Sequence, residues 1–172
     1  MAPIAVIVGA PGAGKTSVGR RVAERLGSEF RDSDALVEQR AGKPVSDIFL
    51  SDGEPVFRQM EREEIAMALT DFDGVLSLGG GAILDEQTRS LLAGHAVIWL
   101  QVDLTNATHR VGLNSARPLL LGNVRGTMLT MLNERTPLYQ EVATITVDTS
   151  GRPLTEIVGE AVAALHERGD AR

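Results

Sequence analysis

Apolar and polar positions along this chain follow two periods, one typical of buried strands and one typical of helices. The short apolar, β-branched run at residues 4–8 predicts a strand of a buried parallel sheet. After it, apolar residues recur at Val18, Val22, Ala23 and Leu26, which is the spacing of a helix that buries one face. In the same way we predict five strands, at residues 4–8, 29–33, 75–78, 95–102 and 143–148. The predicted helices lie at residues 17–26, 35–40, 45–51, 54–70, 85–93, 105–111, 127–135 and 153–166.

The alternation of strands and helices predicts an α/β fold, with a five-stranded parallel sheet between two layers of helices. With 172 residues, 43% of them hydrophobic, the chain can bury the core of one such domain and has little length for a second. We therefore predict a single domain over residues 1–172. Ligands of such a sheet bind beyond the carboxyl ends of its strands.

Composition and charge exclude several classes of protein. The net charge of −6 argues against non-specific binding to nucleic acid or to an anionic membrane. Because there is no cysteine, a disulfide scaffold, thiol catalysis and Cys-ligated zinc are excluded. No apolar stretch approaches the ~20 residues of a membrane span, and the amino terminus runs straight into the first predicted strand, which leaves no signal peptide. We expect a cytoplasmic monomer that acts on small molecules.

Residues 9–16 match the phosphate-binding pattern G-x-x-x-x-G-K-[ST] at every fixed position, between a predicted strand and a predicted helix. Glycines let the backbone wrap closely around an anion, and the N–H groups of the helix N-terminus point at phosphate oxygens. Lys15 is expected to reach the β- and γ-phosphates of ATP, and Thr16 to place its hydroxyl on Mg²⁺. The alternative is a glycine-rich turn that contains Lys-Thr by coincidence. The residues predicted to hold the nucleotide here are Gly12, Ala13, Gly14, Lys15, Thr16 and Ser17.

Two carboxylates follow the second predicted strand, in Asp32-Ser33-Asp34. We expect them beside the phosphate loop if the first two strands are close neighbours. Asp34 could orient or deprotonate an attacking hydroxyl, and Asp32 could hold a water on Mg²⁺. The alternative for either residue is that it caps the helix that follows.

A charged pair interrupts the apolar face of the helix predicted at residues 54–70. Glu61 falls inside the apolar arc of this helix, and Arg58 lies at its edge. The arc is defined by Phe57, Met60, Ile65 and Ala68. The two charged residues are three positions apart and can pair. A charge on a buried face is costly unless it is paired, and it often marks a functional site. The alternative is an exposed ion pair worth a few tenths of a kcal/mol.

Glycines and arginines mark three further segments. Gly79-Gly80-Gly81 follows the third predicted strand, where we expect a backbone donor to face a substrate. The polar segment 112–126 is predicted to be a lid, whose Arg117 could neutralise charge on the phosphates in the transition state; an ordinary surface loop is the alternative. Arg135 is predicted at a helix end, where a cation also favours the helix dipole.

Together these motifs resemble the shikimate kinase family of P-loop enzymes, which belongs to the nucleoside-monophosphate-kinase-like group. The resemblance extends from about residue 4 to residue 165. Besides the phosphate loop, it rests on Asp32-Ser33-Asp34, Phe57-Arg58-Gln59-Met60-Glu61, Leu78-Gly79-Gly80-Gly81, Arg117-Pro118-Leu119 and Arg135-Thr136-Pro137-Leu138-Tyr139. It implies Mg²⁺-dependent transfer of the ATP γ-phosphoryl group to the 3-hydroxyl of shikimate, giving shikimate 3-phosphate and ADP in aromatic amino acid (chorismate) biosynthesis.

The resemblance also implies roles for individual residues. The catalytic residues would be Lys15, Asp34 and Arg117. Shikimate would contact Asp34, Phe49, Phe57, Arg58, Glu61, Gly79, Gly80, Gly81 and Arg135, with Arg58, Arg135 and the Gly80 backbone on its carboxylate. ATP would contact Arg110, Arg117, Arg152 and Pro153 in addition to the phosphate loop. Thr16 and Asp32 would hold Mg²⁺, with Ser77 at a position where many P-loop enzymes have an acidic residue.

Two other functions remain open at this point. Gluconate kinase shares the fold and also phosphorylates a hydroxy acid, although paired arginines suit the shikimate carboxylate because guanidinium forks bind carboxylates bidentately. A nucleotide-dependent binding module without turnover is the alternative from another class. It predicts ATP binding without substrate-stimulated release of ADP.

Overall fold

The computed structural model describes residues 2–113 and 123–170. Its strands are β1 (Ala5–Val8), β2 (Glu29–Asp32), β3 (Gly74–Ser77), β4 (Val97–Gln101) and β5 (Ile145–Asp148). Its helices are α1 (Lys15–Arg25), α2 (Ser33–Ala41), α3 (Val45–Ser51), α4 (Glu54–Asp71), α5 (Glu86–Leu91), α6 (Leu104–Leu113), α7 (Val124–Val142) and α8 (Leu154–Arg168). A short 3₁₀ turn covers Ala82–Leu84. In this part of the chain, no helix combines the length and the apolar character needed to cross a membrane.

The five strands form one sheet in the order β2-β3-β1-β4-β5, and all neighbouring strands are parallel. The predicted α/β fold is therefore confirmed. The condition that the first two strands are close neighbours is not met, because β3 lies between β1 and β2. All residues of β3 are buried, as a central strand requires, whereas β2 alternates exposed and half-buried positions and fits the edge of the sheet. Asp32 consequently pairs in register with Ser77.

Helices cover both faces of the sheet. Crossovers between parallel strands are right-handed. The chain moves toward the β2 edge of the sheet through α1 and moves back toward the β5 edge through α4, α5 and α7, so α1 lies on the opposite face from these three helices. The contacts agree, since α1 packs against α8, whereas α4 packs against α5 and α7 packs against β4. The core between these layers is aliphatic, with Val6, Ile7, Val75, Leu76 and Ile98 fully buried. Because all the strands are parallel, their carboxyl ends lie at the same edge of the sheet, and the site lies there.

The helix predicted to end at Arg135 continues to Val142, so Arg135 lies inside α7 and its predicted position at a helix end is wrong. Pro137 removes one backbone donor, which predicts a helix end. Packing overrides this local signal because Tyr139, two residues later, is buried and stacks on Trp99 with ring centroids 6.0 Å apart. The position inside the helix is what directs Arg135 to the site edge of the sheet.

Candidate active site

The phosphate loop connects β1 to α1 and has the backbone geometry of an anion-binding turn. Gly12 and Gly14 have φ angles of 81° and 87°, which side-chain-bearing residues rarely adopt. The ammonium group of Lys15 donates hydrogen bonds to the carbonyl oxygens of Gly9 at 2.8 Å and Ala10 at 3.1 Å, so it lies folded over the loop. With helix α1 beginning at Lys15, its first N–H groups point into the same concavity.

Arg110 joins the phosphate loop to the segment after β5. Its guanidinium donates to the carbonyl oxygens of Gly12 at 2.9 Å and Thr149 at 3.2 Å. The structure thus places Arg110 beside the loop. Arg152 lies differently, because its guanidinium pairs with Glu156 at 3.2 Å and Glu160 at 2.6 Å on α8. Pro153 is the residue immediately before that helix.

Asp32 and Asp34, at the end of β2, have different structural roles. Asp32 caps α2, since its carboxylate accepts hydrogen bonds from the N–H groups of Asp34 at 2.9 Å and Ala35 at 3.4 Å. Asp34 lies in the first turn of α2, is half-buried and lines a cavity. The capping role, which the sequence left open, therefore belongs to Asp32.

The surroundings of Asp32 fit a magnesium ion that is bound through water. Ser77, its register partner on β3, is fully buried, and its hydroxyl oxygen has no hydrogen-bond partner among the described residues. Thr16 stands exposed in the first turn of α1. Residues 2–113 and 123–170 contain no cluster of three or more His, Cys, Asp or Glu side chains that could hold a metal. In such sites Mg²⁺ usually keeps several water ligands and binds phosphate oxygens, so it needs few protein ligands.

A cavity of about 490 Å³ opens beside the phosphate loop at the carboxyl edge of the sheet. The structure brings all the residues predicted to contact the acceptor into its lining. They are Asp34, Phe49, Phe57, Arg58, Glu61, Gly79, Gly80, Gly81 and Arg135. A cavity of this size accommodates a small polar molecule.

Each glycine of the triplet faces a different charged side chain. A Cβ atom at Gly79 would lie 2.7 Å from an Asp34 carboxylate oxygen, and one at Gly80 would lie 3.4 Å from the Arg135 guanidinium. A Cβ at Gly81 would overlap the guanidinium of Arg58. None of the three glycines has a positive φ angle. They are therefore needed for the close approach of these charged groups and not for an unusual backbone conformation.

Glu61 is the buried acid that the pattern of α4 predicted, with 3% of its surface exposed. One oxygen accepts a 2.7 Å hydrogen bond from Arg58, and the other is buried without a hydrogen-bond partner among the described residues. Burial raises the pKa of Glu61 to about 7, although the Arg58 charge opposes the shift, and nearby Asp34 raises the pKa further. The prediction that Glu61 lies on a buried face and pairs with Arg58 is confirmed.

The raised pKa of Glu61 predicts a specific dependence of stability on pH. Between about pH 4.5 and pH 7 the folded protein keeps a proton that the unfolded chain has lost, so the free energy of unfolding falls as pH rises. This contribution to the free energy of unfolding is about 3 kcal/mol. Glu61→Gln should remove this part of the slope, and Glu24→Gln on the exposed side of α1 should keep it. Denaturant unfolding at several pH values measures both slopes; an identical slope in wild type and Glu61→Gln would contradict the assignment.

Phe49 and Phe57 form one wall of the cavity, with ring centroids 4.9 Å apart. Phe57 is almost fully buried and packs with Val37 and Ile48, so it is a core residue as well as a wall. The Arg58 guanidinium carbon lies 5.2 Å from the Phe57 ring centroid, a favourable position for a cation. Phe57 thus helps to hold Arg58 in place.

Several lining residues were not predicted from the sequence. They are Pro11, Glu38, Pro44, Val45, Ser46, Leu50 and Met131. Met131 lies one helical turn before Arg135, and Glu38 one turn after Asp34, so helical spacing from known site residues would have indicated both. Arg117 and the central residues of the predicted lid, 114–122, lie outside the described residues. Of the rest of that segment, residues 112–113 end α6 and residues 124–126 begin α7.

A phosphate loop that shares its strand edge with a cavity lined by Asp34, Arg58 and Arg135 fits a P-loop phosphotransferase that acts on a small acceptor. The family model described as "Shikimate kinase" matches residues 11–166. The chain belongs to the shikimate kinase family.

Relatives and solved structures agree with this assignment. The shikimate kinase of Thermobifida fusca (strain YX) is 60% identical over 148 residues, which are 86% of this chain and 86% of that protein. The shikimate kinase of Salinispora arenicola (strain CNS-205) is 53% identical over 165 residues, covering 96% of this chain and 99% of that protein. The structure of shikimate kinase from Acinetobacter baumannii in complex with shikimate superimposes with a TM-score of 0.91 at 32% identity, over 98% of this chain and 94% of that one.

Proposed function

We propose that this chain transfers the γ-phosphoryl group of ATP to the 3-hydroxyl of shikimate, giving shikimate 3-phosphate and ADP. The observation that carries the proposal is that the phosphate loop and the acceptor cavity are continuous. Pro11 of the loop lines the cavity, and a Cβ atom at Gly80 would lie 3.0 Å from its ring. A phosphoryl group bound at the loop is therefore next to an acceptor bound in the cavity, as in-line transfer requires.

The acceptor side is built to bind one carboxylate. Arg58 and Arg135 contact neighbouring glycines of the triplet and so present two guanidinium groups to the same region. Guanidinium groups bind carboxylates bidentately through charge-assisted hydrogen bonds. Because Glu61 already pairs with Arg58, that guanidinium is held in a fixed orientation before the acceptor arrives. A hydroxy acid that binds here places its ring hydroxyls toward Asp34.

The transferring side combines positioning with electrostatic stabilisation. Asp34 lies at the cavity wall nearest Gly79, where it can accept the proton of an attacking hydroxyl and orient its oxygen. Lys15 holds the β- and γ-phosphates and stabilises the charge that develops between donor and acceptor. Arg117, which lies outside the described residues, would add a second positive charge at the phosphates.

Thr16, Asp32 and Ser77 are the residues that would hold Mg²⁺, Thr16 directly and the other two through water. The ion, when bound, neutralises phosphate charge and makes ADP a better leaving group. Asp32 would hold such a water in a fixed direction, because its carboxylate is itself fixed by its capping hydrogen bonds.

Release of ADP with a panel of acceptors tests this function. The rate of ADP release by purified protein in Mg-ATP is measured with shikimate, with gluconate, with nucleoside monophosphates and without an acceptor. The proposal predicts strong stimulation by shikimate alone. Stimulation by gluconate or a nucleotide would keep the kinase but overturn the acceptor, and ATP binding without stimulation by any of them would favour a non-catalytic module.

Arg58→Ala should weaken shikimate binding roughly 10- to 150-fold, because it removes charge-assisted hydrogen bonds worth about 1.5–3 kcal/mol. The control is Arg62→Ala, one turn along α4, whose guanidinium pairs with Asp85 and lies outside the cavity lining. Calorimetric titration with shikimate measures both variants. An unchanged Kd in Arg58→Ala, or an equal loss in Arg62→Ala, would refute the carboxylate clamp.

A further inference from the structure

Two buried hydroxyl groups fix the backbone of the glycine triplet from different sides. The N–H of Gly79 donates a 2.9 Å hydrogen bond to the hydroxyl of Ser33, and the hydroxyl of Tyr139 donates a 2.6 Å hydrogen bond to the carbonyl of Gly80. Ser33 and Tyr139 have 0% and 1% of their surfaces exposed. Helices α2 and α7 therefore both reach the triplet, although neither is its neighbour in sequence.

The other carbonyl groups of the triplet are held by the turn that follows it. Ala82 N–H donates to the Gly79 carbonyl at 3.0 Å, and Leu84 N–H donates to the Gly81 carbonyl at 3.1 Å. In a trans peptide the N–H points opposite to the carbonyl of the preceding residue, and the described residues contain no cis peptide bond. The Gly80 N–H therefore points opposite to the Gly79 carbonyl, which the Ala82 N–H holds. Ser33 fixes the peptide group before it, and Tyr139 fixes the peptide group after it.

Tyr139 also stands next to the arginine side of the cavity. It lies one helical turn after Arg135, whose guanidinium approaches Gly80 from the cavity. Burial raises the pKa of Tyr139 to about 12, and the Arg135 charge partly opposes the shift. The hydroxyl is therefore protonated near neutral pH and remains a donor to Gly80. Stacking on Trp99 keeps the ring in place from the core side.

We propose that Tyr139 and Ser33 are positioning residues for the acceptor's carboxylate. Their hydroxyls fix the peptide groups on both sides of the Gly79–Gly80 peptide, and so keep the Gly80 N–H facing the point where Arg58 and Arg135 converge. This inference rests on the proposed function, because it assigns Gly80 to the carboxylate of shikimate. Ser33 has a second effect, since its bond to Gly79 ties the start of α2, and with it Asp34, to the triplet.

A purely structural role predicts different consequences from a positioning role. If the hydroxyl of Tyr139 only stabilises the fold, its removal lowers thermal stability without regard to the ligand. If it positions the Gly80 N–H, its removal weakens binding of the carboxylate in particular. Affinity for ATP, whose phosphates bind at a different loop, should then change little.

The test compares Tyr139→Phe, which keeps the ring, with wild type. The Kd for shikimate should rise about three- to tenfold, because one hydrogen bond is lost. The Kd for a non-hydrolysable ATP analogue should stay within about twofold of wild type. The methyl ester of shikimate, which lacks the carboxylate charge, should bind both proteins equally. Ser33→Ala should likewise weaken the binding of shikimate more than the binding of its methyl ester.

Thr144→Val is the matched control. Its hydroxyl bonds the backbone of Val97 at 2.8 and 3.2 Å, away from the cavity, so this variant should lose stability and keep its shikimate affinity. A lower melting temperature with unchanged shikimate Kd in Tyr139→Phe would overturn the inference while leaving the proposed function intact. A wild-type protein that does not bind shikimate would overturn both.

Discussion

Lys15→Ala is expected to lower kcat by roughly 10²- to 10³-fold, which is the loss associated with removing a preorganised donor to developing charge. The ammonium group lies 2.8 Å from the carbonyl of Gly9 and 3.1 Å from that of Ala10, over the concavity that the loop N–H groups form. No other side chain of the loop brings a positive charge to this point. Steady-state rates at saturating shikimate and ATP measure the effect.

The chain offers a closely matched control in Lys43, its second lysine. Lys43 pairs with Asp52 at 2.5 Å and does not line the cavity. Lys43→Ala should retain kcat within about twofold, because exposed ion pairs contribute about 0–1 kcal/mol. If Lys15→Ala kept more than about a tenth of the wild-type kcat while folded, its assignment to the phosphates would be refuted.

Asp34→Asn should lower kcat by roughly 10²- to 10⁴-fold, the range for loss of a general base. The amide preserves the shape of the side chain against Gly79, where the carboxylate oxygen lies 2.7 Å from the position of a Cβ atom. Shikimate binding should therefore weaken much less than turnover. Single-turnover rates, together with a calorimetric Kd, separate the chemical step from binding.

Glu38 provides the control for Asp34, because it lines the same cavity from the next turn of α2. Glu38→Gln removes a comparable charge at greater distance from Gly79, and its kcat should stay within about threefold of wild type. Equal losses in both variants would assign the effect to the net charge of the cavity. The proton-accepting role would then no longer belong to Asp34.

Much of this fold could be predicted from local patterns. The helix predicted at residues 45–51 matches α3 at both ends, and the predicted strands all form. Sheet order could not be predicted, because it depends on which strands bury both faces. The sequence shows this only indirectly, in the apolar β3 and the polar β2. The predicted end of α7 was wrong because the loss of a backbone donor at Pro137 is a local effect, whereas the burial of Tyr139 depends on tertiary packing.

The site was predictable where its chemistry leaves a mark in the sequence. Glu61 was found because a charge on an apolar helix face conflicts with burial, and the glycine triplet because three glycines exceed what a turn requires. The hydrogen bond from Tyr139 to Gly80 joins residues 59 positions apart, and no local pattern indicates it. Pro11 was hidden for a similar reason, since its place in the acceptor cavity depends on how the phosphate loop packs against Gly80.

The most direct test of the central claim is identification of the product by phosphorus and proton NMR after incubation with Mg-ATP and shikimate. The account predicts ADP and a single new phosphate ester, coupled to the proton on carbon 3 of shikimate. It predicts no such ester with Lys15→Ala protein over the same time. ADP without an ester, or an ester on a different hydroxyl, would contradict the placement of shikimate between Asp34 and the two arginines.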